Sequence, residues 1–150
     1  MNRTRYSVCV VLAVALLAGC TGGGSNAGPT SGAGEGPVTG VDSLIAHMRQ
    51  AGFRAERADQ ISQPFLTPLG TVIRVNDEEM QVYRYADETV AAREAARVGS
   101  NGRTVGTSQV GWIAPPHFFR KRNLLVIYLG SNEQALLTLS GLLGPQFAGS

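Results

Sequence analysis

The sequence predicts an α+β domain over residues 41–150, a small, mostly antiparallel sheet of four to five strands with helices packed on one face. Two observations lead there. Segments rich in β-branched and aromatic residues come in neighbouring pairs, as hairpin strands do, and three helix-patterned segments with recognisable caps are set among them. The chain shows no internal repeat, and about 110 residues are enough for one compact core.

The first helix is signalled by Thr39 as a cap, with Asp42 three residues on. Val41, Leu44, Ile45 and Met48 fall on one face, and Gly52 ends the helix. Phe53, Ala55 and Arg57 alternate as a short strand would, after which the prolines of "QPFLTPLG" break any ladder and predict an irregular connection. In "TVIRVNDEEMQVYRYA" two strand-like runs flank Asn76-Asp77, a turn-competent pair. Val72, Arg74 and Asn76 alternate with Ile73 and Val75, so one face there is expected to be wet. Asp87 caps an alanine-rich helix expected to reach Val98, with Gly99 as its stop. A second hairpin is expected from "TSQVGWIAPP" and "NLLVIYLG"; Leu124 to Leu129 is apolar without alternation, the pattern of a strand covered on both faces. The last helix is expected to open at Ser131, with Gln134 completing a capping box, and to run through Leu136, Leu137, Leu139 and Leu143 to Gly144-Pro145.

The amino-terminal segment reads differently. Arg3 and Arg5 precede 11 uncharged residues, Val8 to Ala18, a run that rises about 16 Å as a helix and is too short for a hydrocarbon core of about 30 Å. Ala18 and Gly19 then put small residues where a signal peptidase cleaves. Leu17, Ala18, Gly19 and Cys20 resemble the lipobox of bacterial lipoproteins position by position. The resemblance implies cleavage of residues 1–19 and a diacylglyceryl group on the thiol of Cys20, which becomes the first mature residue and is often acylated further, for example with palmitate. Residues 20–40 then form the lipidated cysteine and a Gly/Ser/Thr/Pro tether, whose composition cannot bury enough apolar surface to offset its ordering entropy. Residues 41–150 are also diffusely similar, in the strand and "WIAPPHFF" pattern, to small uncharacterised lipoproteins of bacterial envelopes, a likeness that implies no activity.

Removing the signal changes what charge and cysteine counts mean. The chain has 13 basic and 11 acidic side chains; Arg3 and Arg5 leave with the signal, so the mature part is balanced at 11 of each. No basic face for nucleic acid is expected. Cys9 also leaves and Cys20 is lipidated, so no thiol is left for a disulfide, a nucleophile or a metal.

Catalytic signals are weak. "LGSNEQ" runs from a strand into a helix but lacks the glycine spacing and lysine of a phosphate loop. His47 and His117 stand apart and predict no metal site, and Asp77, Glu78 and Glu79 read as solvated carboxylates at a turn. The expectation is therefore a protein that is not an enzyme and needs no cofactor or metal.

The most distinctive stretch is "GWIAPPHFFRKRN". One account makes Trp112, Pro115, Pro116, His117, Phe118, Phe119 and Arg120 an interaction loop, because exposed aromatics with arginine are what interfaces use. A second puts Trp112 and a phenylalanine in the core; a third lets Arg120, Lys121 and Arg122 touch anionic lipid headgroups. The function expected is a lipid-anchored, extracytoplasmic binding or protein-interaction module of the bacterial cell envelope, held to a membrane through Cys20, with an envelope protein as partner. The alternative is a lipoprotein that sequesters a small ligand in an apolar cleft between sheet and helices.

Overall fold

A computed structural model describes residues 36–150; the expected signal peptide, the lipobox with Cys20 and most of the expected tether lie outside the described residues. Among the described residues no helix is long and apolar enough to cross a membrane. The elements run α1 (Val41–Gln50), β1 (Ala55–Ile61), β2 (Gly70–Val75), β3 (Glu78–Arg84), α2 (Glu88–Ala95), β4 (Thr104–Val105), β5 (Ser108–Gln109), β6 (Pro116–Lys121), β7 (Leu124–Leu129), α3 (Glu133–Leu143) and β8 (Ala148–Gly149).

Leu124 to Leu129 organise the rest. Their strand, β7, lies between β3 and β6 in an antiparallel sheet of order β1-β2-β3-β7-β6-β8, and all six residues are buried. Leu124, Val126 and Tyr128 face a core closed by Leu44, Ile45 and Met48 of α1 and by Ala135, Leu139 and Leu143 of α3. Leu125, Ile127 and Leu129 face the other way, onto Ala91 and Ala95 of α2, Phe65 and Leu66 of the irregular 62–69 connection, and Val105. A strand with no polar side must be covered twice.

The α+β class and the antiparallel sheet agree with the sequence reading, but two parts of it need correction. Helices pack on both faces rather than one, because the apolar second face of β7 needs α2. The main sheet has six strands rather than four to five: Pro116–Lys121 forms a strand where a loop was expected, and Ala148–Gly149 adds a short strand beyond α3. The expected second hairpin is re-paired accordingly. Ser108–Gln109 turns back on Thr104–Val105 as a separate two-stranded ribbon, while β6 takes the place beside β7, with Lys121 opposite Leu124 across Arg122-Asn123.

The first hairpin forms as expected, with Val75 opposite Glu78 and Asn76 in the left-handed region at φ 53°. The irregular "QPFLTPLG" connection also holds, and β1 is longer than expected. Cap positions shift. Gly40 rather than Thr39 precedes α1, and the Ser43 hydroxyl accepts from the backbone N–H groups of Gly40 (3.1 Å) and Thr39 (2.9 Å). Asp87 caps α2 by accepting from the Val90 N–H at 2.8 Å, but the helix ends at Ala95, because Val98 bridges to Val105 and the Gly99 N–H turns to the Thr104 carbonyl. In α3, Asn132 rather than Ser131 is the cap, its side chain accepting from the Ala135 N–H at 3.1 Å.

Candidate functional site

A cleft of about 270 Å³ opens where three connections meet: the β2–β3 turn, the β7–α3 junction at Gly130-Ser131, and the 110–115 segment leading into β6. Its apolar floor is Val72, Ala114 and Leu129. Arg74 and three carboxylates, Asp77, Glu78 and Glu79, stand around it, and Ile113, 82% exposed, overhangs it.

The carboxylates are not equivalent. Asp77 is at the turn, where Arg54 approaches to 3.7 Å in an almost fully exposed pair that contributes little. Glu78 is half-buried and doubly held: one oxygen accepts from the Ser131 N–H at 2.9 Å, the other from the buried Tyr128 hydroxyl. Gly130 makes room for it, since a Cβ there would fall on the Glu78 carboxyl group. Glu79 begins a polar chain that runs under the cleft. Its carboxylate accepts from Gln81 Nε2 at 2.7 Å, and Gln81 Oε1 accepts from the Tyr83 hydroxyl at 2.7 Å and Gln63 Nε2 at 3.3 Å. Burial pushes both phenols well above the usual tyrosine value, with Tyr85 adding to the shift at Tyr83 and the Glu78 carboxylate at Tyr128. They therefore stay protonated and act as donors.

The 110–115 segment is pinned from both ends. Trp112 Nε1 donates to the Gly102 carbonyl at 2.7 Å, and its ring meets Phe65 and Phe118 edge-on at 5.9 and 5.8 Å. Gly130 donates to the Pro115 carbonyl at 3.1 Å. Ile113 is thus displayed on a loop held by these contacts.

The residues expected to form one interaction loop are distributed otherwise. Phe118 and Phe119 are fully buried on opposite faces of β6, and Pro116 and His117 are buried too. The His117 ring donates through Nδ1 to Gln146 Oε1 at 2.8 Å and lies near Tyr128. Trp112 is half-buried, Arg120 is half-buried with Glu88 3.5 Å away, and Pro115 alone of the seven is exposed. Strand pairing draws 116–121 into the sheet, so the exposed residues of this stretch are Gly111, Ile113 and Pro115 before the strand and Arg122 after it. His47 is on α1, its Nε2 hydrogen-bonded to the Gly36 carbonyl at 2.6 Å. Among the described residues no group of three or more His, Cys, Asp or Glu side chains is placed to hold a metal.

Ile113 and Gln81 are what the residue pattern did not single out, and Glu79, expected to be a solvated carboxylate, is half-buried with Gln81 as its partner. The signal for Glu79 and Gln81 was present: Glu79, Gln81 and Tyr83 alternate along one face of β3, and a polar stripe on a strand between two covered neighbours needs internal partners. Two buried clusters fill most of the space between sheet and helices, a cleft of about 360 Å³ remains between the start of α1 and the sheet beside Val82 and Leu124, and the Ile113 cleft lies at the end of the sheet. The architecture is that of a small α+β domain with an open, acid-rimmed apolar cleft. No family model, no curated protein and no solved structure matches the chain.

Proposed function

We propose that the protein is a lipid-anchored interaction module on the extracytoplasmic side of a bacterial envelope membrane, held through Cys20, and that it receives a segment of an envelope protein in the Ile113 cleft. The observation that supports it is the pairing of an 82% exposed isoleucine with an apolar floor and a rim of three carboxylates against one arginine. Exposed apolar groups beside charge are where partners bind. A volume of about 270 Å³ suits one or two side chains, and the charge balance favours an apolar residue next to a lysine or arginine. The lipobox-like Leu17-Ala18-Gly19-Cys20 is what supports the anchor.

A photo-crosslinking residue placed at Ile113 in cells of the native host tests this. A discrete adduct is expected there and not from a crosslinker at Leu137, an exposed leucine of α3 that does not line the cleft. Identical products from both positions, or none from position 113, would rule out the cleft as the binding site. The anchor is checked separately: Cys20→Ser should abolish the lipidated amino-terminal peptide seen by mass spectrometry.

A further inference from the structure

The strands give the domain two electrically different ends. At one end β3 finishes with Arg84, β6 finishes with Arg120 and Lys121, and the turn to β7 carries Arg122; Arg84 pairs with Leu124 and Lys121 faces the same residue from the other side, which brings the four cations to one end of the sheet. Three acids accompany them: Asp87 and Glu88, and Asp42, which shares a cleft with Arg84. Glu88 is paired with Arg120 and Asp42 with Arg57, while Asp87 caps α2 and keeps its negative charge beside the cations; among the described residues Arg84, Lys121 and Arg122 have no ion-pair partner, and this end carries a net excess of two positive charges. At the other end, the end of the Ile113 cleft, Glu56, Asp77, Glu78, Glu79 and Glu133 outnumber Arg49, Arg54 and Arg74.

The attachment of the chain favours one orientation. Val38 and Thr39, which lead into α1, line a cleft of about 390 Å³ together with Arg84 and Arg122. Between Cys20 and Gly36 lie 15 residues. Covalent geometry limits a chain of that length to a span of about 50 Å even at full extension. A domain anchored that way stays within reach of the bilayer surface, and the surface's own field then selects which end faces it. The negative potential of an anionic leaflet acts only within about a Debye length, so the near end feels it and the far end, some seven residues of strand away, does not.

We infer that the Arg84, Lys121 and Arg122 end docks on anionic lipid headgroups, so that the Ile113 cleft points away from the membrane. This inference rests on the lipid-anchored reading above and adds the orientation. The net excess of two positive charges at this end favours this orientation over its reverse by roughly 30-fold.

The test uses the lipidated full chain in vesicles of neutral phosphatidylcholine or of phosphatidylcholine with phosphatidylglycerol. A nitroxide is attached either at the basic end through Ala86→Cys or at the cleft end through Ser131→Cys, both neutral, exposed positions. A nickel-chelating headgroup lipid reports proximity to the surface. On anionic vesicles the label at 86 should relax much faster than that at 131. The difference should vanish in the variant Arg84→Gln/Lys121→Gln/Arg122→Gln, and equally in high salt, which needs no substitution. Equal relaxation at the two positions, in protein that floats with both kinds of vesicle, overturns the orientation alone. Protein that floats with neither overturns the anchor and the orientation with it.

Discussion

Phe118 and Glu78 show how one residue's role is decided by its neighbours. Phe118 stands in a run of aromatic and basic residues that suggests a surface, yet its ring is fully buried and holds the edge of Trp112. Glu78 stands in an acidic turn that suggests solvent, yet its carboxylate satisfies the Tyr128 hydroxyl and the Ser131 N–H. Gly130 is the residue on which that seat depends. In Gly130→Ala the new methyl group displaces the carboxylate, and the Tyr128 hydroxyl, fully buried, loses its acceptor. A loss of about 1–3 kcal/mol is expected, read as a lower urea midpoint with an unchanged slope. A variant as stable as the parent would mean that Glu78 can be moved without cost.

At the scale of elements, caps and turns do the local work and pairing does the rest. The Asn132 side chain accepts from the Ala135 N–H at the start of α3, and Asn132→Ala should cost about 1 kcal/mol while Ser131→Ala, at the residue the sequence pattern favoured, should cost only a few tenths. Thermal denaturation of the two variants side by side separates them; equal losses would place the cap wrongly. The helix boundary at Ala95 has a tertiary cause: Val98 is needed as a bridge to Val105, and a helix continued to that point could not provide it. The same competition explains β6. Its residues hydrogen-bond to β7 on one side and β8 on the other, and a strand with two neighbours is bound more firmly than a proline-led loop.

Across the whole molecule, three tyrosines couple stability to alkaline pH. Tyr83, Tyr85 and Tyr128 are buried, and burial pushes each phenol above the usual tyrosine value; Glu94 adds to the shift at Tyr85, whose hydroxyl has no hydrogen-bond partner among the described residues. A value raised by folding means that the contribution is complete below about pH 10, where the unfolded chain's phenols are also protonated, and is lost as pH rises from there. Each phenol ionised only in the unfolded state steepens the loss by up to about 1.4 kcal/mol per pH unit. Urea midpoints should therefore hold level up to about pH 9 and fall steeply by about pH 11. A midpoint unchanged across that interval would mean that these hydroxyls are not shielded. Charge operates at the same scale, since the cations around the β6–β7 turn and the carboxylates of the cleft end separate only when the strands align.

By itself the sequence determined the local features: the α+β class, the three helices to within a few residues, the Asn76-Asp77 hairpin, the irregular 62–69 connection and the two-sided burial of Leu124–Leu129. Each of these follows from periodicity, turn chemistry or composition within a dozen residues, which is the range over which backbone preference and side-chain patterning act. Tertiary structure decided the long-range features: that 116–121 is a strand, that α2 covers a second face, that Glu78 reaches Tyr128 fifty residues away, and that Ile113, Glu79 and Ser131 frame one cleft. Those depend on which distant segment wins a hydrogen-bonding edge or an apolar face, and a competition between segments is settled only when all of them are present together.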